Sequence, residues 1–280
     1  MLFRSTWYSP PAAATFGAIA QSSLIDAQKA CSLNTKLIAH DLAELGINVN
    51  CAPVADIPVK GSHDVIGDRA FSYDKEIVTV MAQAVVDSFL SCNITPIIKH
   101  IPGHGRAHTD SHLELPYIDA DYKTLKENDF YPFKNVKNVK WAMTAHVVYR
   151  AIDPQNPTTH SPRVIDEIRS SINFSGLIIS DCITMKALSG NMDERADRAF
   201  KAGCDVVIHS SGNIHEMEKV IKHTPFLTAM QAGMVSASCY LSNIQMNLDL
   251  ERTHAELKEV LEKYKLYNPL NRSLQDPTEN

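Results

Sequence analysis

Five short runs of apolar, largely β-branched residues recur along the chain. Each run is typical of a buried strand, because strands enclosed on both faces read as continuous hydrophobic stretches. Longer segments with apolar positions at helical spacing separate the runs. This alternation predicts parallel strands joined by right-handed helical crossovers, either as a doubly wound sheet or as an eight-stranded barrel. The predicted strands cover residues 47–54, 94–100, 140–149, 177–181 and 204–210.

Three of the intervening segments carry the strongest helical pattern. One of them begins with Ser161 as its predicted N-cap and Pro162 in its first turn, and another ends at Gly203. These end signals fix where the helices start and stop. The three segments cover residues 75–92, 161–172 and 193–203.

The chain changes character after residue 224. Residues 225–270 have the pattern of one or two amphipathic helices, which we expect to pack against the outside of the domain or against a partner. The last ten residues are polar and are predicted to be disordered. The predicted organisation is an α/β domain over residues 1–224, a helical segment over 225–270 and a tail over 271–280.

Polar and ionisable residues lie at the carboxyl ends of the predicted strands. A single residue of this kind more often caps a loop than serves catalysis. Five strand ends carrying them in succession favour function, because barrel enzymes build their active sites at this end of the sheet. The residues are Asp56, Lys99, His100, His146, Asp181 and His209.

The segment KHIPGHGRAHTDSH places four histidines at a repeat of four. A metal site would need them on one face, which this spacing provides only on a continuous helix. Pro102, Gly103 and Gly105 interrupt any such helix and favour a turn that lets backbone approach a ligand. Metal binding is therefore the minor alternative, since loop histidines can still converge. The histidines are His100, His104, His108 and His112.

The same segment contains an acid and a histidine suited to proton transfer. Asp110 stands two residues before His112, where it can accept a hydrogen bond from the imidazole and fix its tautomer. A partner for this pair is Asp181, which ends a buried strand and suits a nucleophile or a cation stabiliser. Asp181 could also cap the helix that follows.

Composition restricts the classes of partner. Hydrophobic residues make up 44% and charged residues 21%, the balance of an ordinary globular protein. The net charge of -5 is spread along the chain without a Lys/Arg cluster, so we expect no nucleic acid partner. No apolar run is long enough for a signal peptide or a membrane span. Six cysteines without a Cys-x-x-Cys pair predict reduced thiols and a cytoplasmic location.

Six segments, in this order and spacing, resemble the family 3 glycoside hydrolases. The resemblance extends over roughly residues 8–210 and is greatest to the bacterial β-N-acetylhexosaminidases of peptidoglycan recycling. A KH-hydrophobic-PGHG segment followed by DSH and by a strand ending in SD rarely arises by chance. The segments are GDRAFSYD (67–74), KHIPGHG (99–105), DSHLELP (110–116), MTAHVVY (143–149), SDCITM (180–185) and AGCDVVI (202–208).

The resemblance implies a (β/α)8 barrel that removes terminal N-acetylglucosamine from muropeptide-type glycosides with retention of configuration. The family's nucleophile maps onto Asp181, its general acid/base onto His112 and the partner of that histidine onto Asp110. The small-molecule partner would be an amino sugar or muropeptide, and neither a metal nor an organic cofactor is implied. The family's sugar-binding positions map onto Arg69, Lys99 and His100.

The barrel that the sequence predicts is incomplete. In the family, three strands precede the matched region, and the third ends in an Asp-Gln-Glu-Gly-Gly-Arg type motif that contributes to the sugar site. Only about the last five β/α units, with C-terminal helices, are found in the sequence, so truncation at the N-terminus is expected. Missing strands would expose sheet edges and favour self-association.

Three functional hypotheses follow. The first is an active N-acetylglucosaminidase, and the second is an impaired remnant or sugar-binding pseudoenzyme. The third is a metal hydrolase that uses the loop histidines. Residues outside these hypotheses receive structural roles: His104 and His108 are expected in the turn and loop, and His146 either lines the pocket or is buried and hydrogen-bonded. Packing roles are predicted for Cys51, Cys204 and His209.

Overall fold

The computed structural model describes residues 8–240 and 248–266. Seven strands occur in this part of the chain. Six of them lie in the five predicted runs to within one residue, two of these in the run 140–149, which confirms those predictions. The strands are β1 (Val49–Asn50), β2 (Thr95–Ile101), β3 (Tyr117–Ile118), β4 (Trp141–Thr144), β5 (Val148–Tyr149), β6 (Leu177–Cys182) and β7 (Val206–Ile208).

Helices connect the strands and follow the last of them. The α-helices are α1 (Ala13–Ala20), α2 (Leu24–Glu44), α3 (Lys75–Ser91), α4 (Tyr122–Thr124), α5 (Tyr131–Asn135), α6 (Pro162–Ser170), α7 (Met192–Ala202), α8 (Ile214–Lys222), α9 (Ala229–Tyr240) and α10 (Leu250–Lys263). A π-helical turn covers Leu125–Asp129, and 3-10 turns cover Gly67–Arg69 and Thr158–His160.

The main sheet has the strand order β1-β2-β4-β6-β7, and every neighbouring pair is parallel. A doubly wound sheet would reverse its order at a switch point, whereas this order simply follows the chain. Of the two predicted arrangements, the order therefore fits the barrel. The sheet is an incomplete barrel of the (β/α)8 type, curled and covered by helices.

One predicted strand is divided in two. Residues 140–149 form β4 in the main sheet, and then β5, which pairs with β3 in a separate two-stranded sheet. Between them Ala145 still donates a hydrogen bond to the carbonyl of Ile101, while the His146 ring bonds to Thr159 and to the carbonyl of Cys182. The chain thus changes sheets where His146 enters the interior.

Successive residues of the strands face two different apolar layers, as the period of two requires. Ile98, Ala142 and Ile178 point outward into the large core formed with the helices. The residues between them point to the concave inner face, where Met234 and Val235 of α9 pack against them. The buried inner-face residues are Ile97, Trp141, Met143, Leu177 and Ile179.

The predicted helix ends are confirmed by their capping contacts. The Ser161 hydroxyl accepts a hydrogen bond from the backbone of Val164 at the start of α6, which has Pro162 in its first turn. Gly203 ends α7 with φ of +110°, a backbone conformation that glycine adopts without steric cost.

The two C-terminal helices lie on different sides of the sheet. Helix α10 packs against α2 on the outside, as predicted, and Lys263 bonds to Asp26 there at 2.6 Å. Helix α9 instead covers the inner face, because its apolar residues meet the apolar interior of the curled sheet. The predicted tail over 271–280 lies outside the described residues.

The sheet has β1 and β7 as its edges, and α9 is hydrogen-bonded beside both. The Asn48 side chain donates to the carbonyl of Ser238 at 3.1 Å, and the Gln231 amide donates to Asp205. Self-association through these edges stays a prediction. Within the described ranges, no helix is both long enough and apolar enough to cross a membrane.

Replacing Phe89 with alanine tests the outer core. Phe89 on α3 is 1% exposed, so the truncation should leave a cavity and lower the free energy of unfolding by about 3–5 kcal/mol in urea titrations. Phe226 is the matched control, because its side chain is fully exposed and Phe226→Ala should change this free energy by less than about 0.5 kcal/mol. Equal losses in the two variants would contradict this assignment of the core.

Candidate active site

Three strands deliver the charged groups to one edge of the sheet. Asp56 follows β1, Lys99 and His100 lie near the end of β2, and Asp181 lies near the end of β6. Because the strands are parallel, their carboxyl ends meet at the same edge. Beyond β1 the pairing continues where the backbone of Ala55 donates to the carbonyl of Lys99 at 2.7 Å. Asp56, Lys99, His100 and Asp181 therefore lie at one edge of the sheet.

The Asp56 carboxylate is fully buried and holds the turn after β2. It accepts hydrogen bonds from the His100 backbone N–H at 3.2 Å and from the His104 backbone N–H at 2.6 Å. Its second oxygen lies 2.7 Å from Nδ1 of His100. Burial raises the pKa of Asp56, but the charge of His100 and the hydrogen bonds from His100 and His104 outweigh it and lower the pKa overall. Asp56 is consequently an anion at neutral pH.

His100 links this anion to the proposed nucleophile. Since the Asp56 carboxylate can only accept, Nδ1 of His100 carries the proton. The other ring nitrogen, Nε2, lies 3.9 Å from Oδ2 of Asp181, which is beyond hydrogen-bond distance. The ring is therefore held by Asp56 through Nδ1, and its Nε2 atom lies on the side of Asp181.

Asp181 is held as an anion with part of its surface open. The backbone N–H of Cys182 donates to one of its oxygens at 2.7 Å, and its side chain remains 23% exposed. Burial raises the pKa of Asp181, whereas His100, His146, the Cys182 N–H and Lys99 together lower it below its ordinary value. An ionised, partly open carboxylate on rigid backbone can act as a nucleophile or stabilise a cation.

Lys99 supplies positive charge beside Asp181, and Arg69 lies near Lys99. Burial lowers the pKa of Lys99, and the nearby Arg69 guanidinium lowers it too, while Cys51 and Asp181 raise it. Arg69 is exposed on its 3-10 turn and donates to the carbonyl of Val65. Cys51 does pack against the inner face, but it also interacts electrostatically with Lys99 and Asp181, which its strand position alone did not reveal.

Asp110 and His112 form a tight pair on the loop that follows the turn. Nδ1 of His112 lies 2.7 Å from Oδ1 of Asp110, which also accepts from the His112 backbone N–H at 2.8 Å. Burial raises the pKa of Asp110, and the hydrogen bonds from His112 lower it overall. Nδ1 thus carries a proton, and Nε2 is left for proton exchange. The His112 side chain is 61% exposed, and no contact in the described part of the chain joins it to Asp181.

His146 takes the second of its two predicted roles. It is 1% exposed, with Nε2 lying 3.0 Å from the Cys182 carbonyl and Nδ1 lying 2.7 Å from the Thr159 hydroxyl. Burial lowers its pKa, so the ring is neutral, donates from Nε2 to the carbonyl and accepts at Nδ1. It supports the backbone directly after Asp181. His209 also does more than pack, since Nε2 pairs with Glu216 at 3.0 Å.

The four evenly spaced histidines have four different environments. His100 bonds to Asp56, His104 is buried beside Ser111, His108 lies 3.3 Å from the carbonyl of Gly61, and His112 pairs with Asp110. Among residues 8–240 and 248–266, no three His, Cys, Asp or Glu side chains are grouped so as to hold a metal ion. The turn is as sharp as predicted: a Cβ on Gly105 would lie 2.0 Å from the carbonyl oxygen of Ile57.

Residues 2–236 match the family described as the glycosyl hydrolase family 3 N terminal domain. The chain belongs to glycosyl hydrolase family 3. A β-hexosaminidase from Idiomarina loihiensis is 32% identical over 221 residues, which are 78% of this chain and 66% of that protein. A β-hexosaminidase from Methylococcus capsulatus is 36% identical over 204 residues, 71% of this chain and 59% of that protein. This family 3 chain therefore spans two thirds or less of these relatives' length.

A solved structure of the family is also similar. The crystal structure of NagZ from Neisseria gonorrhoeae in complex with N-trifluoroacetyl-D-glucosamine aligns with a TM-score of 0.81 at 27% identity. The alignment covers 93% of this chain and 78% of that chain. The incomplete barrel is thus the family fold over most of the described residues.

Asp56→Ala should destabilise the family 3 chain strongly. It removes the acceptor of three buried donors, so the free energy of unfolding at pH 7 should fall by about 3–5 kcal/mol in urea titrations. Asp119→Ala is the control, because its ion pair with Arg150 is exposed and contributes about 0–1 kcal/mol.

The same comparison has a pH dependence. The folded-state pKa of Asp56 lies below its ordinary value of 3.8, so its stabilisation is present above that pH and disappears as the pH falls through the folded value. The stability difference between the wild type and Asp56→Ala should accordingly shrink below pH 3.8. A difference that stays constant down to acid unfolding would contradict the charged state assigned to Asp56.

Proposed function

We propose that the chain is a retaining β-N-acetylglucosaminidase that removes terminal N-acetylglucosamine from muropeptide-type glycosides. One observation carries the proposal: an ionised, partly open Asp181 lies beside Lys99 and His100 at the carboxyl edge of a family 3 barrel. The β-hexosaminidase relatives and the NagZ structure with an N-acylated glucosamine support the substrate class.

Asp181 is the proposed nucleophile. In the first step its carboxylate attacks the anomeric carbon, and the bond from that carbon to the leaving oxygen breaks. Protonated His112 gives its Nε2 proton to the leaving oxygen, while Asp110 holds Nδ1. In the second step water attacks the anomeric carbon, its bond to Asp181 breaks and Nε2 of His112 takes a proton from the water. The sugar leaves with its original configuration.

A histidine in this role suits the charge distribution of the site. Neutral His112 does not repel the Asp181 anion, whereas a second carboxylate would. Because His112 is exposed and makes no described contact with Asp181, proton transfer requires the loop to bring its ring toward the bound sugar. Asp110 remains paired with His112 during that movement, as their 2.7 Å contact is local to the loop.

Three donors are proposed to bind the sugar hydroxyls: Lys99, His100 and Arg69. Lys99 and His100 are positioned by β2 and by the Asp56 carboxylate, so their geometry is set before the sugar enters. Arg69 reaches the site from a 3-10 turn. We propose a cytoplasmic location. The five cysteines whose side chains the structure describes are all free thiols, as expected in a reducing compartment.

The second candidate is a sugar-binding protein without turnover. It is favoured by the exposed position of His112. Its site would use the same Lys99, His100 and Arg69 donors and would leave Asp181 unreacted.

Asp181→Ala should abolish hydrolysis. Wild-type protein should release p-nitrophenol from p-nitrophenyl N-acetyl-β-D-glucosaminide, and the variant should lower kcat by at least about 10³-fold, because no intermediate can form. Asp166→Ala, on the exposed side of α6, is the matched control and should leave kcat unchanged. Turnover that survives Asp181→Ala would refute the mechanism. Saturable sugar binding by a wild type without turnover would establish the second candidate.

A further inference from the structure

The loop that carries the Asp110–His112 pair has one buried attachment point. Between His108 and Leu115, only Ser111 is buried, at 3% exposure, whereas Asp110 before it is partly exposed and His112 after it is exposed. Its carbonyl accepts a weak hydrogen bond from the backbone of Ala187 at 3.3 Å. The loop is thus fixed between the two groups that are proposed to move the proton.

The side chain that holds Ser111 is His104. Nε2 of His104 lies 3.1 Å from the Ser111 hydroxyl, and both side chains are inaccessible to solvent. Among the residues that the structure describes, Nδ1 of His104 has no hydrogen-bond partner, and the contact with Ser111 is the one hydrogen bond of this ring. A buried histidine with a single polar contact, aimed at the middle of the loop, fits a role in placing that loop.

His104 is itself held rigidly. Its backbone N–H donates to the buried Asp56 carboxylate at 2.6 Å, and its ring packs edge-on against His100 with centroids 5.7 Å apart. Burial, together with the charge of His100, lowers the pKa of His104 to about 4, so the ring stays neutral at physiological pH. A neutral ring can share a proton with a hydroxyl without bringing a charge into the interior.

We propose that His104 is a positioning residue, which through Ser111 sets the place from which His112 exchanges its proton. The inference rests on the proposed function. Two hydrogen bonds connect the strand ends to the exposed loop: Asp56 bonds to His104, and His104 bonds to Ser111. Ser111, which lies between Asp110 and His112, is then the attachment point from which this pair moves toward the bound sugar.

The test compares two leaving groups. A phenyl glycoside of N-acetyl-β-D-glucosamine needs a proton on its leaving oxygen, whereas a 2,4-dinitrophenyl glycoside departs without one. His104→Leu keeps a similar volume but lacks the hydrogen bond. It should lower kcat/KM for the phenyl glycoside by about 10–100-fold, since small misplacements of a catalytic group cost this much. For the dinitrophenyl glycoside the fall should stay within about threefold.

Further variants separate placement from folding. Ser111→Ala removes the partner with little change in volume and should reproduce the His104→Leu pattern, and the double variant should be no worse than either single variant. His104→Gln puts a polar group close to the position of Nε2 and should recover part of the lost rate. His108→Leu is the matched control, because this exposed histidine lies in the same loop and should leave both rates unchanged.

Equal losses for the two leaving groups would overturn the proposal and indicate a purely structural role. Unchanged rates in His104→Leu and Ser111→Ala would overturn it as well. Hydrogen exchange of the amides in residues 108–115 gives a readout that does not depend on turnover, and exchange should accelerate in both variants. An inactive wild type would refute the proposed function, while exchange left unchanged by the variants would refute the attachment of the loop.

Discussion

The buried carboxylate of Asp56 holds together the parts from which the site is built. It lies after β1, yet all three of its described hydrogen bonds go to the turn after β2, to His100 and His104. An unpaired anion at this depth would be costly, so the three donors are needed for the fold as much as for the site. When Asp56 accepts these three hydrogen bonds, the register of β1 against β2 and the positions of His100 and His104 are fixed together.

This arrangement divides the site into a rigid part, formed by the strand ends, and an exposed loop. Asp181, Lys99 and His100 belong to β2 and β6, each of which has a parallel neighbour on both sides, and the charges of Lys99 and His100 lower the pKa of Asp181. The Asp110–His112 pair is held internally but is open to solvent. In the proposed reaction the rigid strand ends must hold one sugar ring, while the general acid His112 must accommodate leaving groups of different size. A fixed nucleophile and a loop attached at Ser111 meet both needs.

Local pattern predicted the strands and the helix ends, but not the contacts between distant segments. The five apolar runs and the caps at Ser161 and Gly203 are properties of a few neighbouring residues, and all are confirmed. The two-residue strand β3 left no pattern, and the division of residues 140–149 into β4 and β5 was not visible in their continuous apolar run. The bond between His100 and Asp56 joins residues 44 apart, so no spacing signals it. The contact between Ser111 and His104 likewise forms only once the turn has folded, so the sequence alone does not signal it.

Helix α9 explains how the incomplete barrel can cover its interior without obstructing the site. Its sequence, AMQAGMVSASCY, contains no charged residue, which suits contact with the apolar inner face. Its two hydrogen bonds to the sheet are made with Asn48 and Asp205, which immediately precede β1 and β7. Both lie at the amino ends of the strands, whereas Asp181 and Lys99 lie near the carboxyl ends. In barrels the first end serves stability and the second serves chemistry. The helix therefore closes the end of the sheet that the proposed reaction does not use.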